Sequence, residues 1–436
     1  MTVITTHPAA PDTTIEATSP DPLVIHRIHR GELTAGTAAG RRFVEVAELL
    51  EDTLAESADR HDREGSYPHD ALDVVRRTGL PWAPAPEPAG GWGLASVHDL
   101  IVGASRLARG NPSLAIGLNM HLIAMDLLAH RTRCLGPDRE TALRARAAID
   151  RITGSRVLIA AAISEHAQDL LRPRTRATRT EDGWIIDGRK AFCTMSPAAD
   201  LLNVAVAYTR DDGEERIGFV QLPASTPGVV VEDDWDSLGM RTSGSHSVTL
   251  DQVRIADAQL QDALAYGRAD RAWLERYLTS GLAHASASLG IAESAHARVT
   301  AANADRRALR ANDGRASMAV ADNAVELAAM RATLAAGAER VDEYRAAVES
   351  GWVPADDELS EVMAATQRAK AFVDRTAVAV VDRSLELSGG ACYLASNPLA
   401  RAWRDVRAGA FMHPYGANRG YGIIAAVELG MEPQLG

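Results

Sequence analysis

The spacing of apolar positions changes twice along the chain and divides it into three parts. Over residues 31–155, apolar side chains recur at helical spacing, which is typical of amphipathic helices. Over residues 156–260, short β-branched runs are separated by Gly, Pro and Asp, and Asp182 with Gly183 predicts a hairpin turn. Over residues 261–436, long alanine-rich runs return to helical spacing, which favours an antiparallel bundle. The pattern therefore predicts a helical domain, a β domain and a helical bundle, in that order.

Composition and charge narrow the class of protein. Residues 1–30 are rich in Thr, Pro, Ala and Asp, and we predict that they are disordered. The chain has 58 Asp and Glu against 46 Lys and Arg, a net charge of -12, which argues against a nucleic-acid or anionic-membrane partner. Since we find neither a bilayer-spanning apolar run nor the basic start of a signal peptide, we expect a cytoplasmic protein with no membrane partner.

The cysteines and histidines do not suggest a metal centre or a disulfide framework. Cys134, Cys193 and Cys392 lie far apart without a CxxC spacing, and the 13 histidines include no HExxH arrangement. Such isolated thiols fit the reducing cytoplasm. We therefore expect no metal site.

Four segments, in order along the chain, resemble motifs of the acyl-CoA dehydrogenase superfamily. They are residues 161–169, 188–208, 238–255 and 385–414, the last of which contains Gly-Gly, Pro-Leu-x-Arg and Arg-Asp. The resemblance implies an α+β fold with an N-terminal helical domain, a middle β-barrel and a C-terminal four-helix bundle. It also implies a flavin between the barrel and the bundle, and a homotetramer or homodimer in which a neighbouring subunit contributes to the flavin site. The alanine-rich face of the bundle is then the expected oligomer interface.

The resemblance assigns five residues to the flavin. Phe192 offers a stacking face, and Thr194, two residues further along a strand, points to the same side and can hydrogen-bond a flavin edge. Ser164 stands where the family has a flavin-contacting Thr. Gly389 and Gly390 follow a long helical run, where glycine is typical of a helix end and also permits close approach of the backbone to the cofactor.

One position separates two branches of this superfamily. Its dehydrogenases usually carry a catalytic glutamate eight residues after the Arg-Asp motif, and this chain has His413 there. In this respect the chain resembles the two-component flavin monooxygenases, whose active sites use His, with Ser or Thr, in place of a carboxylate. On this basis His413, His121 and Ser196 are the candidate catalytic residues, because imidazole can both donate to a bound oxygen species and deprotonate a substrate. A core histidine bonded to a backbone carbonyl remains the alternative for His121.

The function implied is a monooxygenase that takes reduced FAD, or FMN, from a separate flavin reductase and uses O2 as co-substrate. It would hydroxylate an aromatic carbon, an amine nitrogen or a sulfur of a small molecule through a C4a-hydroperoxyflavin. Two alternatives stay open. One is an acyl-CoA or acyl-carrier-protein dehydrogenase with tightly bound FAD, and the other is a catalytically silent binding homologue.

Overall fold

The predicted order of helices, strands and helices is confirmed by the structure, which is a computed structural model. It describes residues 31–134, 140–167, 169–304, 314–412 and 417–433. The segment 1–30, predicted to be disordered, lies outside the described residues. Within the described residues, six α-helices precede the strands: α1 Ala38–Leu49, α2 Glu51–Glu64, α3 His69–Thr78, α4 Val97–Gly110, α5 Pro112–Cys134 and α6 Glu140–Gly154. Six follow them: α7 Arg271–Tyr277, α8 Ser280–Ala304, α9 Gly314–Glu349, α10 Asp356–Ser388, α11 Pro398–Asp405 and α12 Ala417–Glu428.

The helix starts in the N-terminal part are fixed by side-chain caps. The Thr37 hydroxyl accepts a hydrogen bond from the Gly40 N–H at the start of α1, and the Ser96 hydroxyl accepts one from the Asp99 N–H at the start of α4. The Asp99 carboxylate in turn accepts the Thr37 N–H at 2.9 Å, so the starts of α1 and α4 are tied together. Helix α5 is long and apolar enough to cross a membrane, but most of it is buried inside the protein as a core helix.

Eight strands form one mixed sheet that encloses a hydrophobic core of its own. Their bounds are β1 Ile159–Ala162, β2 Arg176–Thr180, β3 Gly183–Cys193, β4 Leu201–Thr209, β5 Glu215–Pro223, β6 Val229–Val231, β7 His246–Ile255 and β8 Gln261–Ala265. The strand order is β6-β7-β3-β2-β4-β5-β8, and β1 pairs in parallel with β4. The hairpin predicted at Asp182 and Gly183 joins β2 to β3, with Thr180 opposite Gly183.

The C-terminal helices form the bundle that the alanine-rich runs predict. Helix α10 packs against α8, α9 and α12. The apolar positions that recur along α9 at helical spacing, Leu327, Met330, Leu334 and Val341, are all buried. Helix α8 also packs against α4 and α5, so it joins the bundle to the N-terminal helices.

Candidate active site

A cavity of about 480 Å³ lies where the sheet meets the helices. It is lined by β1 and the end of β3, by one face of α5, by α7 and the start of α8, and by residues 235–245 and 404–412. This volume falls within the range of roughly 300–1,000 Å³ that small-molecule and cofactor sites occupy. Most of the lining is apolar, and Ile116, Met120, Ile123 and Leu127 recur along α5 at helical spacing on the side that faces the cavity.

Phe192, predicted to stack on the flavin, presents an aromatic ring to this cavity. It is 51% exposed, and its ring lies edge-on to His166 and to Trp235, with centroids 5.3 and 6.1 Å apart. A bulge in the pairing of β3 with β7 turns the chain here, and Phe192 adopts a φ of +56°. An exposed ring held by a strained backbone is the feature that a flat, aromatic cofactor would cover.

Two further residues predicted to contact the flavin also line the cavity. Ser164 lies just beyond β1, and its carbonyl accepts the Ala191 N–H at 2.9 Å, which fixes it beside β3. The Thr194 hydroxyl lies 3.0 Å from the Ser245 hydroxyl, which lies 2.7 Å from the Ser243 hydroxyl. This chain of buried hydroxyls provides hydrogen-bonding groups next to Phe192, so the residues present fit a flavin ring with an apolar face and polar edges.

A buried ion pair holds the segment that contains Ser164. The Lys190 ammonium lies 2.7 Å from the Glu165 carboxylate, and both side chains are almost completely buried. The same carboxylate accepts the Thr175 hydroxyl and backbone N–H at 2.7 and 2.9 Å. Burial alone would raise the pKa of Glu165. Lys190 and these hydrogen bonds lower it by more, so the pKa lies below its usual value. The pair thus fixes the segment after β1, which contains Ser164, against β3.

His121, predicted to be catalytic, does not reach the cavity. It lies on α5 with no exposed surface, edge-on to Trp82, and its Nδ1 accepts the Ile159 N–H at 3.1 Å. Burial lowers the pKa of His121 to about 3, so the ring is neutral. The alternative of a core histidine bonded to backbone describes it better, since a backbone hydrogen bond with Pro81 also acts on the pKa of this ring.

Ser196 and the two glycines also lie away from the cavity. Ser196 starts a short 3-10 turn, is buried, and donates its hydroxyl to the Gly244 carbonyl at 3.1 Å. Gly389 ends α10 with a φ of +77°, and both Gly389 and Gly390 are exposed. Within this chain, Gly389 therefore has the helix-end role that is typical of glycine at this point. His413 lies outside the described residues.

Charged residues that sequence reasoning had not assigned to the site complete the lining. Arg276, Arg404 and Arg407 line the cavity with His284, and the described lining contains no Asp or Glu. Arg404 and Arg407 have carboxylate partners, Asp62 at 2.5 Å and Asp382 at 3.1 Å. His284 is buried on α8, one turn after Ser280. The alanine-rich sequence around His284 is typical of a core helix, so only the position of the first turns of α8 beside the cavity identifies this residue.

One group of potential metal ligands lies outside the cavity. His130, Cys134 and Glu349 bring their ligand atoms within 4.8 Å of one another between α5 and α9. The Glu349 carboxylate already accepts the Arg133 Nε–H at 2.8 Å and lies 3.0 Å from His130 Nδ1. These contacts explain the cluster as an ion-pair network.

Three family models match the chain in the order of its structural parts. They are the acyl-CoA dehydrogenase N-terminal domain over residues 43–132, the middle domain over residues 160–253 and the C-terminal domain over residues 282–414. The cavity described above draws its lining from all three matched regions.

Individual similar proteins match between 76% and 92% of the chain. The amino sugar nitrososynthase DnmZ of Streptomyces peucetius is 32% identical over 410 residues, covering 90% of this chain and 94% of that protein. Isobutylamine N-hydroxylase of Streptomyces viridifaciens is 28% identical over 342 residues, covering 76% of this chain and 81% of that protein. The structure of KijD3 in complex with FMN and dTDP-3-amino-2,3,6-trideoxy-4-keto-3-methyl-D-glucose has a TM-score of 0.81 at 28% identity, covering 92% of this chain and 96% of that chain.

Proposed function

Because this chain belongs to the acyl-CoA dehydrogenase superfamily, in its flavin-dependent monooxygenase branch, we propose that it transfers oxygen to the nitrogen of an amine. One observation carries the proposal: the described lining of the cavity contains aromatic rings, hydroxyls and an imidazole but no carboxylate. A dehydrogenase of this superfamily needs a carboxylate to remove the proton beside a thioester. Oxygen transfer to an amine needs no such base.

The residues at the end of β3 would hold the cofactor. Phe192 would stack on the flavin ring, and Thr194 and Ser164 would hydrogen-bond its edge. A reduced flavin supplies the two electrons with which O2 is split. Over the whole reaction one amine, one O2 and one reduced flavin give one hydroxylamine, one water and one oxidised flavin. The apolar lining from α5 excludes water from this space and so protects the reduced cofactor from unproductive reaction.

We assign His284 a role in preparing the amine. The nitrogen can attack oxygen only through its lone pair, so a protonated amine must first lose a proton. His284 is buried in the cavity lining, where its imidazole can accept that proton. His413, which the family resemblance places in the site, is a second candidate for the same role.

The similar proteins suggest which amine is used. Two of them are named for reactions at nitrogen, and the KijD3 structure contains an amino sugar linked to dTDP. We therefore propose a nucleotide-linked amino sugar as the substrate and FMN as the flavin. The volume and the lining of this cavity support a small-molecule substrate in general, and the sugar nucleotide is the finer proposal.

The partners belong to the same proposal. A separate reductase would supply the reduced flavin, and the reaction would take place in the cytoplasm. A homotetramer or homodimer is supported by α9, on which Met318 and Val325 are 69% and 70% exposed and lie seven positions apart on one face.

A product assay tests the function directly. The purified chain is mixed with FMN, an unrelated NADH-dependent flavin reductase and a dTDP-linked amino sugar, and the product is followed by mass spectrometry. We expect a product heavier by one oxygen atom that depends on this chain, with ¹⁸O incorporated from ¹⁸O2. Reduction of bound FAD by an acyl thioester, without oxygen incorporation into the amine, would instead identify a dehydrogenase.

The hydroxyl chain beside Phe192 gives a separate prediction for flavin binding. The substitution Thr194→Val keeps the shape of the side chain and removes its hydrogen bond, so we expect FMN affinity to fall by a factor of about 2 to 10. Ser196→Ala is the matched control, because the Ser196 hydroxyl is bonded to the Gly244 carbonyl outside the cavity. Fluorescence titration with FMN measures both. Equal losses in the two variants would contradict the assignment of Thr194.

A further inference from the structure

The charge of the cavity is opposite to that of the protein. The chain has a net charge of -12, yet the described lining of the cavity contains three arginines and no Asp or Glu. A protonated amine would be repelled by such a lining. A substrate that carries negative charge elsewhere in its structure would be attracted to it.

Arg276 differs from the other two arginines of the lining. Arg404 and Arg407 are paired with Asp62 and Asp382, whereas Arg276 forms no ion pair with a carboxylate in the part of the chain that the structure describes. Its guanidinium lies over the Phe219 ring, 3.5 Å from the centroid, next to Tyr277. Burial, with a contribution from Arg131, lowers the pKa of Arg276 to about 10, so the group stays charged at neutral pH. Arg276 is partly buried, and a partly buried charge without a counter-ion is less favourable than the same charge paired with a bound anion.

Arg131 adds a second positive charge at the same end. It follows Leu127 by one turn on the face of α5 that lines the cavity. Burial lowers the pKa of Arg131, and Glu275 acts against that shift. The Glu275 carboxylate already accepts a hydrogen bond from the Tyr344 hydroxyl at 2.9 Å, so its negative charge is shared and does not neutralise Arg131 alone.

From this arrangement we infer that Arg276, supported by Arg131, binds a phosphoryl group of a ligand in the cavity. The planar guanidinium can donate two parallel hydrogen bonds to phosphate oxygens, which suits a diphosphate. The inference deepens the proposed function, on which it rests for the identity of the ligand. Arg276 would then select a phosphorylated amine over an amine that carries no phosphate.

Two ligands of the proposed reaction carry phosphate, the sugar nucleotide and FMN, and the distance of Arg276 from the flavin-stacking residue Phe192 is compatible with either. Phe192 lies on β3, and Phe219, under Arg276, lies on β5, three strand positions away. At about 4.8 Å per position this places them on the order of 14 Å apart across the sheet. The flavin ring would therefore lie at one end of the cavity and the phosphate-binding arginine at the other.

Two pairs of probes test the inference without any turnover, so a failure of the proposed reaction does not affect the result. Binding of thymidine diphosphate is compared with thymidine, and binding of FMN with riboflavin, by calorimetry on the wild-type chain. The same titrations are made on Arg276→Gln, on Arg276→Lys and on Arg340→Gln, which removes an exposed arginine paired with Glu343. Circular dichroism and thermal melting establish that each variant is folded.

We expect Arg276→Gln to weaken thymidine diphosphate binding by a factor of about 10 to 100 and to leave thymidine unchanged. Arg276→Lys should recover part of the loss, and Arg340→Gln should resemble the wild type. If the loss falls on FMN and spares riboflavin, the phosphoryl site stands and its ligand is the flavin. The inference is overturned if the wild-type chain prefers neither phosphorylated probe, or if folded Arg276→Gln keeps the preference.

Discussion

Replacing His284 with Asn should lower the rate of amine oxygenation by a factor of about 10² to 10⁴. Asn has a similar size and can still form hydrogen bonds, but it cannot accept the proton that the ammonium form of the substrate must lose. The flavin should still be reduced and reoxidised, so oxygen would be consumed with release of hydrogen peroxide instead of hydroxylamine. Mass spectrometry of the product and a peroxide assay, at saturating reduced FMN, measure the two fates.

The pH dependence separates a role in proton transfer from a structural one. As the pH rises, a growing fraction of the amine is already neutral, so the deficit of His284→Asn should shrink towards the wild-type rate. His121→Asn is the matched control, because His121 lies in the core and accepts a backbone N–H. It should cost stability without a pH-dependent loss of rate. A normal rate in His284→Asn together with an inactive His413→Asn would assign the proton acceptor to His413 instead.

The architecture was largely predictable because each part of the chain has one dominant periodicity. The hairpin at Asp182 and Gly183 and the buried positions of α9 follow from local pattern alone. The sequence did not predict β1 or β8, which are four and five residues long. In β1 the sequence Ile-Ala-Ala-Ala has little β propensity, and its pairing with β4 comes from tertiary packing rather than from the strand itself.

The site was predictable only where its residues fall within a local motif. Phe192, Thr194 and Ser164 line the cavity, and a bulge rather than strand alternation places the first two. His121 and His284 both lie in apolar helices, so the sequence gives no means of telling a core histidine from one that faces a cavity. That difference depends on which face of each helix borders the cavity, and it is decided by packing between distant parts of the chain.

Glu293 holds three helices together through charge. The substitution Glu293→Gln should lower the free energy of unfolding by about 3–5 kcal/mol. The carboxylate is 5% exposed and lies 2.8 Å from Arg109 Nε, 3.3 Å from Arg106 Nη1 and 2.7 Å from Arg331 Nε. It thereby ties α8 to α4 and α9. Gln would leave three arginines close together without this negative charge. Glu343→Gln, at an exposed pair, is the control and should cost under about 1 kcal/mol.

Acid should remove this contribution over a defined range of pH. Burial alone would raise the pKa of Glu293, but the three arginines lower it to about 2, against an ordinary value of 4.5. A carboxylate with a lowered pKa stabilises the fold above its unfolded pKa and loses that effect as the pH falls towards the folded one. The difference between wild type and Glu293→Gln in urea denaturation should therefore be full at pH 7 and shrink below about pH 4.5. A difference that is small at pH 7, or that does not shrink in acid, would show that α8 is held in place by apolar packing, and that the position of His284 does not depend on this cluster.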